Sequence, residues 1–273
     1  MVVVVQTEPY NVKAGGSMIN VRRITGIHRP CPDTLTPSGS VVGEDVEEGP
    51  MRRPVEQLAQ AVKPRLRGWL HAGTFPVALI AGMLLIALGP TLEARLCAVV
   101  YALTSALLFG VSAFYHRGRW SPRAAERLRR FDHANIYLII AGTYTPFAYL
   151  ILDGAARALV LAVVWGGALA GVLFRVLWTD APRWLYTALY IGLGWVAAFF
   201  VPQFIEGTGL AVALLVAFGG VLYSLGGLVY GLRRPDPSPR WFGFHEVFHA
   251  FTVAAYVLQY IAVSFVIYRA GTA

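Results

Sequence analysis

The stretch Phe244-His245-Glu246-Val247-Phe248-His249 stands where the last apolar run of the chain begins. His245 and His249 are four residues apart, so on a helix both imidazoles project from one face, one turn apart. Two histidines in this arrangement can bind one metal ion, and histidine is a common ligand of zinc. Because polar side chains are costly where a helix enters a bilayer, the pair indicates a functional site.

The composition is that of a membrane protein. Hydrophobic residues make up 56% of the 273 residues and charged residues only 14%, whereas soluble domains contain about a quarter charged residues. The formal net charge of +8 therefore indicates membrane topology and contact with anionic lipid. No nucleic-acid-binding motif accompanies this charge, so we expect membrane lipids, and no nucleic acid, as partners. The two cysteines, Cys31 and Cys97, provide no disulfide framework.

Seven apolar runs are each long enough to cross a bilayer, and in lipid each must be a helix because no water satisfies free backbone groups. They span residues 69–88, 96–115, 134–152, 156–177, 185–202, 210–232 and 247–268. The sequence therefore predicts an all-α integral membrane protein, with a seven-transmembrane helix bundle in residues 64–273. Residues 1–63 are rich in Pro, Gly, Ser, Thr and acidic residues, which predicts a disordered polar tail. Alternatively, Met51 is the true start and the tail is an extension of the gene model.

The distribution of arginine predicts the orientation of the bundle. The second, fourth and sixth connections contain most of the arginines: Arg117, Arg119, Arg123, Arg127, Arg129 and Arg130, then Arg175 and Arg183 at the edges of the fourth, then Arg233, Arg234 and Arg240. The odd-numbered connections contain only Arg95 and Arg157. The positive-inside rule places the N-terminus and the even-numbered connections in the cytoplasm. We therefore expect a multi-pass protein of the cell membrane with its C-terminus outside.

This topology brings four polar residues to one depth in the membrane. His116 ends the second span, Asp132 begins the third, and His245 and His249 begin the seventh, all at the cytoplasmic side. Each histidine alone would be explained by hydrogen bonds to lipid headgroups, but three beside an aspartate favour a metal. Three neutral imidazoles leave one tetrahedral position of zinc open, as in catalytic sites. We predict that these three histidines bind Zn²⁺, because nitrogen ligands favour zinc over magnesium.

Asp132 and Ser112 are the candidate catalytic residues. Asp132 can orient a metal-bound water or accept its proton, or it can simply cap the third helix, a position that suits aspartate. Ser112 lies one turn before His116 on the same helix face. It can donate a hydrogen bond to a substrate carbonyl or to Asp132, or it can be a packing hydroxyl bonded to its own backbone.

Three further titratable residues are predicted at the same end of the bundle as these candidates. We interpret His71 and His133 as interfacial or supporting groups, because three histidines already satisfy an open zinc site. Glu246 projects about 100° away from its neighbour His245 on a helix, so we do not expect it to bind the metal.

Three motifs of the chain resemble those of one family. They are Ser112-Ala113-Phe114-Tyr115-His116, which fits S-x3-H; Phe131-Asp132-His133 with Ala141-Gly142-Thr143-Tyr144-Thr145-Pro146, which fits an aspartate segment; and His245-Glu246-Val247-Phe248-His249, which fits H-x3-H. Together they resemble the hemolysin III branch of the progestin and adipoQ receptor (PAQR) family, within the ceramidase-related membrane hydrolases. The resemblance extends from about Arg65 to the C-terminus. It implies a seven-helix bundle, a zinc ion held by three histidines near the cytoplasmic side, and a water between that zinc and Asp132.

The function expected from metal chemistry and this resemblance is zinc-dependent hydrolysis of a lipid amide or ester, as in ceramidase-like relatives. The alternatives are a receptor or sensor with a structural zinc, and a pore-forming hemolysin-type protein. The spans contain few charges or amides, which argues against a water-filled pore. The chain departs from many relatives, which carry E-x2-3-N-x3-H before the first span. Here Arg65-Leu66-Arg67-Gly68-Trp69-Leu70-His71 keeps only the histidine.

Overall fold

The computed structural model describes residues 4–14, 17–28, 64–178 and 181–271, and the chain divides into two units, Met1–Arg52 and Arg53–Ala273. The helices of the second unit are α1 (Trp69–Leu88), α2 (Leu92–Arg117), α3 (Pro122–Ile151), α4 (Gly154–Leu177), α5 (Arg183–Gly194), α6 (Val201–Thr208), α7 (Leu210–Leu232) and α8 (Phe244–Arg269). A 3-10 segment, Trp195–Phe200, joins α5 to α6, so that these three elements form the fifth span. Seven spans in the described residues are long and apolar enough to cross a membrane, which confirms the predicted all-α membrane bundle.

Helix α8 lies at the centre of the packing. It packs most extensively against α7, and it also contacts α1, α2 and α3, while α1 to α4 pack in chain order. The starts of α1, α3, α5 and α8 and the ends of α2, α4 and α7 meet at one end of the bundle. We call this the histidine end, because α8 begins there with its two histidines.

The start of α3 differs most from the predicted spans. The prediction placed it at residue 134, but the helix begins at Pro122. The Ser121 hydroxyl caps it by accepting a hydrogen bond from the Ala124 amide at 3.4 Å, and proline suits the first helical turn. Its first turns contain charged side chains, so this part of the helix is not an apolar run and was not predicted. Asp132 consequently lies about three turns inside α3, so the interpretation of Asp132 as a helix cap is wrong.

The arginines used for the orientation are also placed differently from the prediction. Arg123, Arg127, Arg129 and Arg130 lie on α3, and the connection between α2 and α3 is only residues 118–121. Arg175 lies in the last turn of α4, and its side chain is buried within the bundle. Other arginines of the histidine end, such as Arg119 and Arg240, are exposed, whereas Arg183 is half-buried.

The first unit contains an antiparallel hairpin of β1 (Val4–Ala14) and β2 (Ser17–His28). Both strands lie in the tail predicted to be disordered, and the rest of residues 1–63, including Met51, lies outside the described residues. The register pairs Tyr10 with Val21 and Val12 with Ile19. β-Branched and aromatic residues favour strands, and two glycines stand between the strands in sequence, as in many hairpins.

Candidate metal centre

His116, His245 and His249 converge at the histidine end. His116 lies in the last turn of α2, whereas His245 and His249 lie one turn apart at the start of α8. One ring nitrogen from each residue lies within 4.8 Å of the others, and all three side chains are buried. The sequence analysis placed these histidines at one depth, and the structure brings them into one cluster.

The cluster suits a tetrahedral metal. The Nε2 atoms of His116 and His245 are 3.1 Å apart, and two nitrogens bound to zinc at about 2.0–2.1 Å would lie roughly 3.3 Å apart. Imidazole nitrogens suit zinc and other transition metals better than magnesium or calcium. The three ring nitrogens therefore lie close enough together to bind one metal ion, and their chemistry suits zinc.

Two carboxylates fix the start of α8, which positions its histidines. The backbone N–H of Gly243 donates to Glu246 Oε2 at 2.8 Å, and that of Phe244 donates to Asp236 Oδ1 at 2.8 Å. The first N–H groups of a helix have no partner within the helix, so these bonds satisfy two of them. Glu246 is thus used for capping and lies outside the histidine cluster, in agreement with its predicted exclusion from the ligands.

Asp132 lies beside the point where the histidine nitrogens meet. Its Oδ2 is 3.5 Å from His116 Nε2, and its side chain is 9% exposed. Ser112, one turn before His116, is buried and lines the same cavity as Asp132. Within the described residues the Ser112 hydroxyl donates no hydrogen bond to Asp132. The catalytic roles of both residues remain predictions.

His71 supports the cluster by stacking. Its ring lies parallel to that of His249, with centroids 3.8 Å apart and planes at 4°, and it meets Phe109 edge-on. Both of its ring nitrogens are buried and lack a hydrogen-bond partner within residues 64–178 and 181–271. His71 therefore fixes the orientation of the His249 ring, which agrees with its interpretation as a supporting group.

Residues 65–71, which keep only the histidine of the relatives' E-x2-3-N-x3-H pattern, pack against this centre. Arg67 Nε lies 2.9 Å from Glu246 Oε1, and burial lowers the pKa of the Arg67 guanidinium while Glu246 opposes that change. Gly68 has a φ of 78°, and a Cβ on it would lie 2.6 Å from the Cβ of His116. This position thus requires glycine both for its left-handed backbone and for its close approach to a candidate ligand.

A cavity of about 200 Å³ extends from the histidine cluster into the bundle. Its polar end includes His71, Asp132 and His249, while residues deeper in the bundle, such as Phe147 and Phe204, make most of the remaining wall apolar. An apolar cleft with a few polar groups at one end is typical of ligand sites. This arrangement suits a molecule with a long apolar chain and one polar group.

Sequence reasoning missed Arg175, which it treated as a marker of topology. The residue lies inside an apolar run, and an ionisable residue within a span is by itself a signal of function. Its guanidinium donates to His133 Nδ1, and His133 lines the cavity.

The amino-acid sequence matches the family described as "Haemolysin-III related" over residues 59–260. It is 26% identical to Hemolysin-3 of Bacillus cereus over 220 residues, which are 79% of this chain and 97% of that protein. It is 29% identical to the Hemolysin-3 homolog of Bacillus subtilis (strain 168) over 167 residues, 61% of this chain and 75% of the relative. The monocyte to macrophage differentiation factor of Homo sapiens is 24% identical over 208 residues, 75% of this chain and 84% of that protein.

Proposed function

The chain belongs to the haemolysin-III-related family, and on that premise we propose that it is a zinc-dependent hydrolase of a lipid amide or ester. One observation carries the proposal: three ring nitrogens and a carboxylate meet beside one end of a cavity whose lining is mostly apolar. That arrangement places hydrolytic chemistry where the polar group of a bound lipid would lie.

In this proposal the histidines, Asp132 and Ser112 have different roles. His116, His245 and His249 would hold the zinc ion through their buried ring nitrogens. Zinc supplies a Lewis acid and lowers the pKa of a bound water toward about 7. Asp132 would hold the attacking water and accept its proton through the oxygen that lies 3.5 Å from His116 Nε2. Ser112 would donate a hydrogen bond to the substrate carbonyl from the wall of the same cavity.

The apolar part of the cavity supports a lipid as the substrate. Its lining comes from α3, the fifth span, α7 and α8, and is largely aliphatic and aromatic. A hydrophobic lining of this kind would exclude water around an acyl chain. A water-filled pore needs polar groups along its length, so the same lining disfavours the pore-forming alternative.

The test is hydrolysis by the purified protein in detergent or nanodiscs, using a set of N-acyl and O-acyl lipids and mass spectrometry of the products. We expect release of a fatty acid by the wild type and loss of that release in His245→Ala or after chelation of the metal. If the protein contains zinc but cleaves no lipid amide or ester, the structural-zinc receptor replaces the enzyme.

We also propose that the histidine end faces the cytoplasm of a cell-membrane protein. Exposed arginines such as Arg119, Arg123 and Arg240 surround this end, as the positive-inside rule requires. A reporter that is active only in the cytoplasm should be inactive when fused to the C-terminus. An active C-terminal reporter would reverse this orientation.

A further inference from the structure

Beside the candidate metal centre, the cavity wall carries a second polar group of residues, His133, Tyr186, Tyr190 and Tyr230. The hydroxyl of Tyr230 lies 3.4 Å from His133 Nε2 and 3.4 Å from the hydroxyl of Tyr186. The hydroxyl of Tyr190 donates to the His133 backbone carbonyl at 3.1 Å. We call these four residues the His133 patch.

Arg175 lies behind this patch and is 1% exposed. Its Nη2 is 2.8 Å from His133 Nδ1, and its guanidinium lies 4.5 Å from the centre of the Tyr186 ring. Arginine has only donors, so Nδ1 must accept this hydrogen bond and the neutral imidazole carries its proton on Nε2. His133 therefore presents an N–H group on the side of Tyr230 and the cavity.

The charge of Arg175 is not neutralised by an acid in the described residues. Its Nε and Nη1 are buried and have no hydrogen-bond partner there, and it forms no ion pair with any described carboxylate. Nη1 of a second arginine, Arg183, is also buried without a partner in this part of the chain, and that guanidinium lies 5.4 Å from the Tyr230 ring. Burying an arginine without a counter-charge costs free energy, which a bound anion would offset.

We propose that the His133 patch binds a negatively charged oxygen, a carboxylate or a phosphate, in the headgroup of the lipid in the cavity. The proposal rests on the proposed function for the identity of the ligand as an acyl lipid. His133 Nε2–H and the hydroxyls of Tyr186 and Tyr230 donate to the anion, while the Tyr190 hydroxyl holds the His133 backbone. Arg175 is a positioning residue that fixes the His133 tautomer and supplies positive charge.

The position of the patch agrees with this role. The Tyr230 ring lies 6.1 Å from the His133 ring and 5.7 Å from the ring of His245, measured between centroids. A headgroup held by the patch therefore lies next to the histidine cluster, and the acyl chain can extend into the apolar part of the cavity. The patch would select substrates by their headgroup, separately from the residues that act on the bond that is cleaved.

The experiment compares lipids that share an acyl chain and its linkage but have an anionic or a neutral headgroup. N-oleoylglycine and N-oleoylethanolamine form a carboxylate pair, and lysophosphatidic acid and monooleoylglycerol form a phosphate pair. The wild type should prefer the anionic member by about tenfold in kcat/KM, which is the usual gain from one charge-assisted hydrogen bond. The pair that shows the larger preference identifies the anion as carboxylate or phosphate.

Variants assign the preference to the patch. Arg175→Met should reduce the preference for anionic lipids to less than about twofold. Arg175→Lys keeps a donor for His133 Nδ1, so it should retain part of that preference. Tyr230→Phe, which removes only a hydroxyl, should reduce the preference by a few-fold even if Arg175→Met fails to fold. Arg130→Met is the matched control, because it removes an arginine of the same end that already pairs with Glu126. The Arg130→Met variant should show the same preference for anionic lipids as the wild type.

Equilibrium binding of the same four lipids to the metal-stripped protein separates this inference from the proposed hydrolysis. A preference for anionic lipids that depends on Arg175 supports the His133 patch, even if no lipid is cleaved. Equal binding of the charged and neutral members by the wild type overturns the inference, even if both are hydrolysed. An unchanged preference in Arg175→Met and Tyr230→Phe would also overturn it.

Discussion

The arginines at the two ends of the bundle have different partners. At the end away from the histidines, Arg95 Nε donates to the carbonyl of Gly89 at 2.7 Å, and Arg157 Nε donates to the carbonyl of Leu152 at 2.7 Å. Both carbonyls lie just after the end of a helix, where backbone acceptors lack partners within that helix. These arginines complete the backbone hydrogen bonding of the fold.

At the histidine end, several buried polar atoms are left without such partners. The nitrogens of His71 and two nitrogens of Arg175 are buried and unpaired within the described residues, and the nitrogens of three histidines face one another. Buried polar groups are normally satisfied, and unsatisfied ones indicate a ligand site. In the described residues, the buried side-chain nitrogens without a hydrogen-bond partner all lie at the histidine end, which makes that end the candidate for binding a ligand.

The largest expected effect is on catalysis at the histidine end. Asp132→Asn should lower the rate of lipid hydrolysis by about a hundredfold or more, because the amide cannot accept the proton of the attacking water. The zinc content, measured by mass spectrometry, should stay close to that of the wild type. Loss of zinc in this variant would show instead that Asp132 is needed to bind the metal.

A smaller effect, on stability, is expected where the segment before α1 contacts α8 through Arg67 and Glu246. Arg67→Met leaves the Glu246 carboxylate buried with the Gly243 amide but without its cation. We expect the free energy of unfolding to decrease by about 2 kcal/mol, since removal of one partner leaves a buried charge uncompensated. Thermal denaturation in detergent micelles measures this, and Arg65→Met, which removes an exposed arginine of the same segment, is the control. An equal decrease in the free energy of unfolding of both variants would show that the Arg67–Glu246 pair has no specific stabilising role.

The smallest effect is expected at the opposite end. Arg157→Met removes a hydrogen bond to the carbonyl that follows α3 and an exposed ion pair with Asp153. We expect the free energy of unfolding to decrease by about 1 kcal/mol, with no change in zinc content or in hydrolysis. The same denaturation and metal measurements apply. A reduced zinc content would mean that the two ends are not independent.

The sequence predicted the seven spans and the histidine cluster because both follow from local rules. A chain in lipid must be helical, and the spacing of four residues brings His245 and His249 to one face whatever the packing. The position of His116 at the same end followed from the order of the spans. The nitrogen ligands predicted zinc as the metal, and the resemblance implied the same ion.

Other features depend on tertiary packing or on weak local signals. The cavity exists because the broken fifth span and its neighbours leave space that no single segment encodes. The contact of Arg175 with His133 joins residues 42 positions apart, so a count of arginines near span ends could not reveal it. The start of α3 was missed because charged residues interrupt its apolar pattern, although Ser121-Pro122 is a recognisable helix start.

The most direct test of the central claim is the zinc stoichiometry of the purified protein and of four alanine variants. We predict about one zinc per chain in the wild type and in His71→Ala, which removes a buried histidine that packs on the rings of His249 and Phe109. We predict a stoichiometry near zero in His116→Ala, His245→Ala and His249→Ala, because an open zinc site has only three protein ligands. Full zinc content in His245→Ala, or equal loss in His71→Ala, would contradict the assignment of these three histidines as the metal ligands.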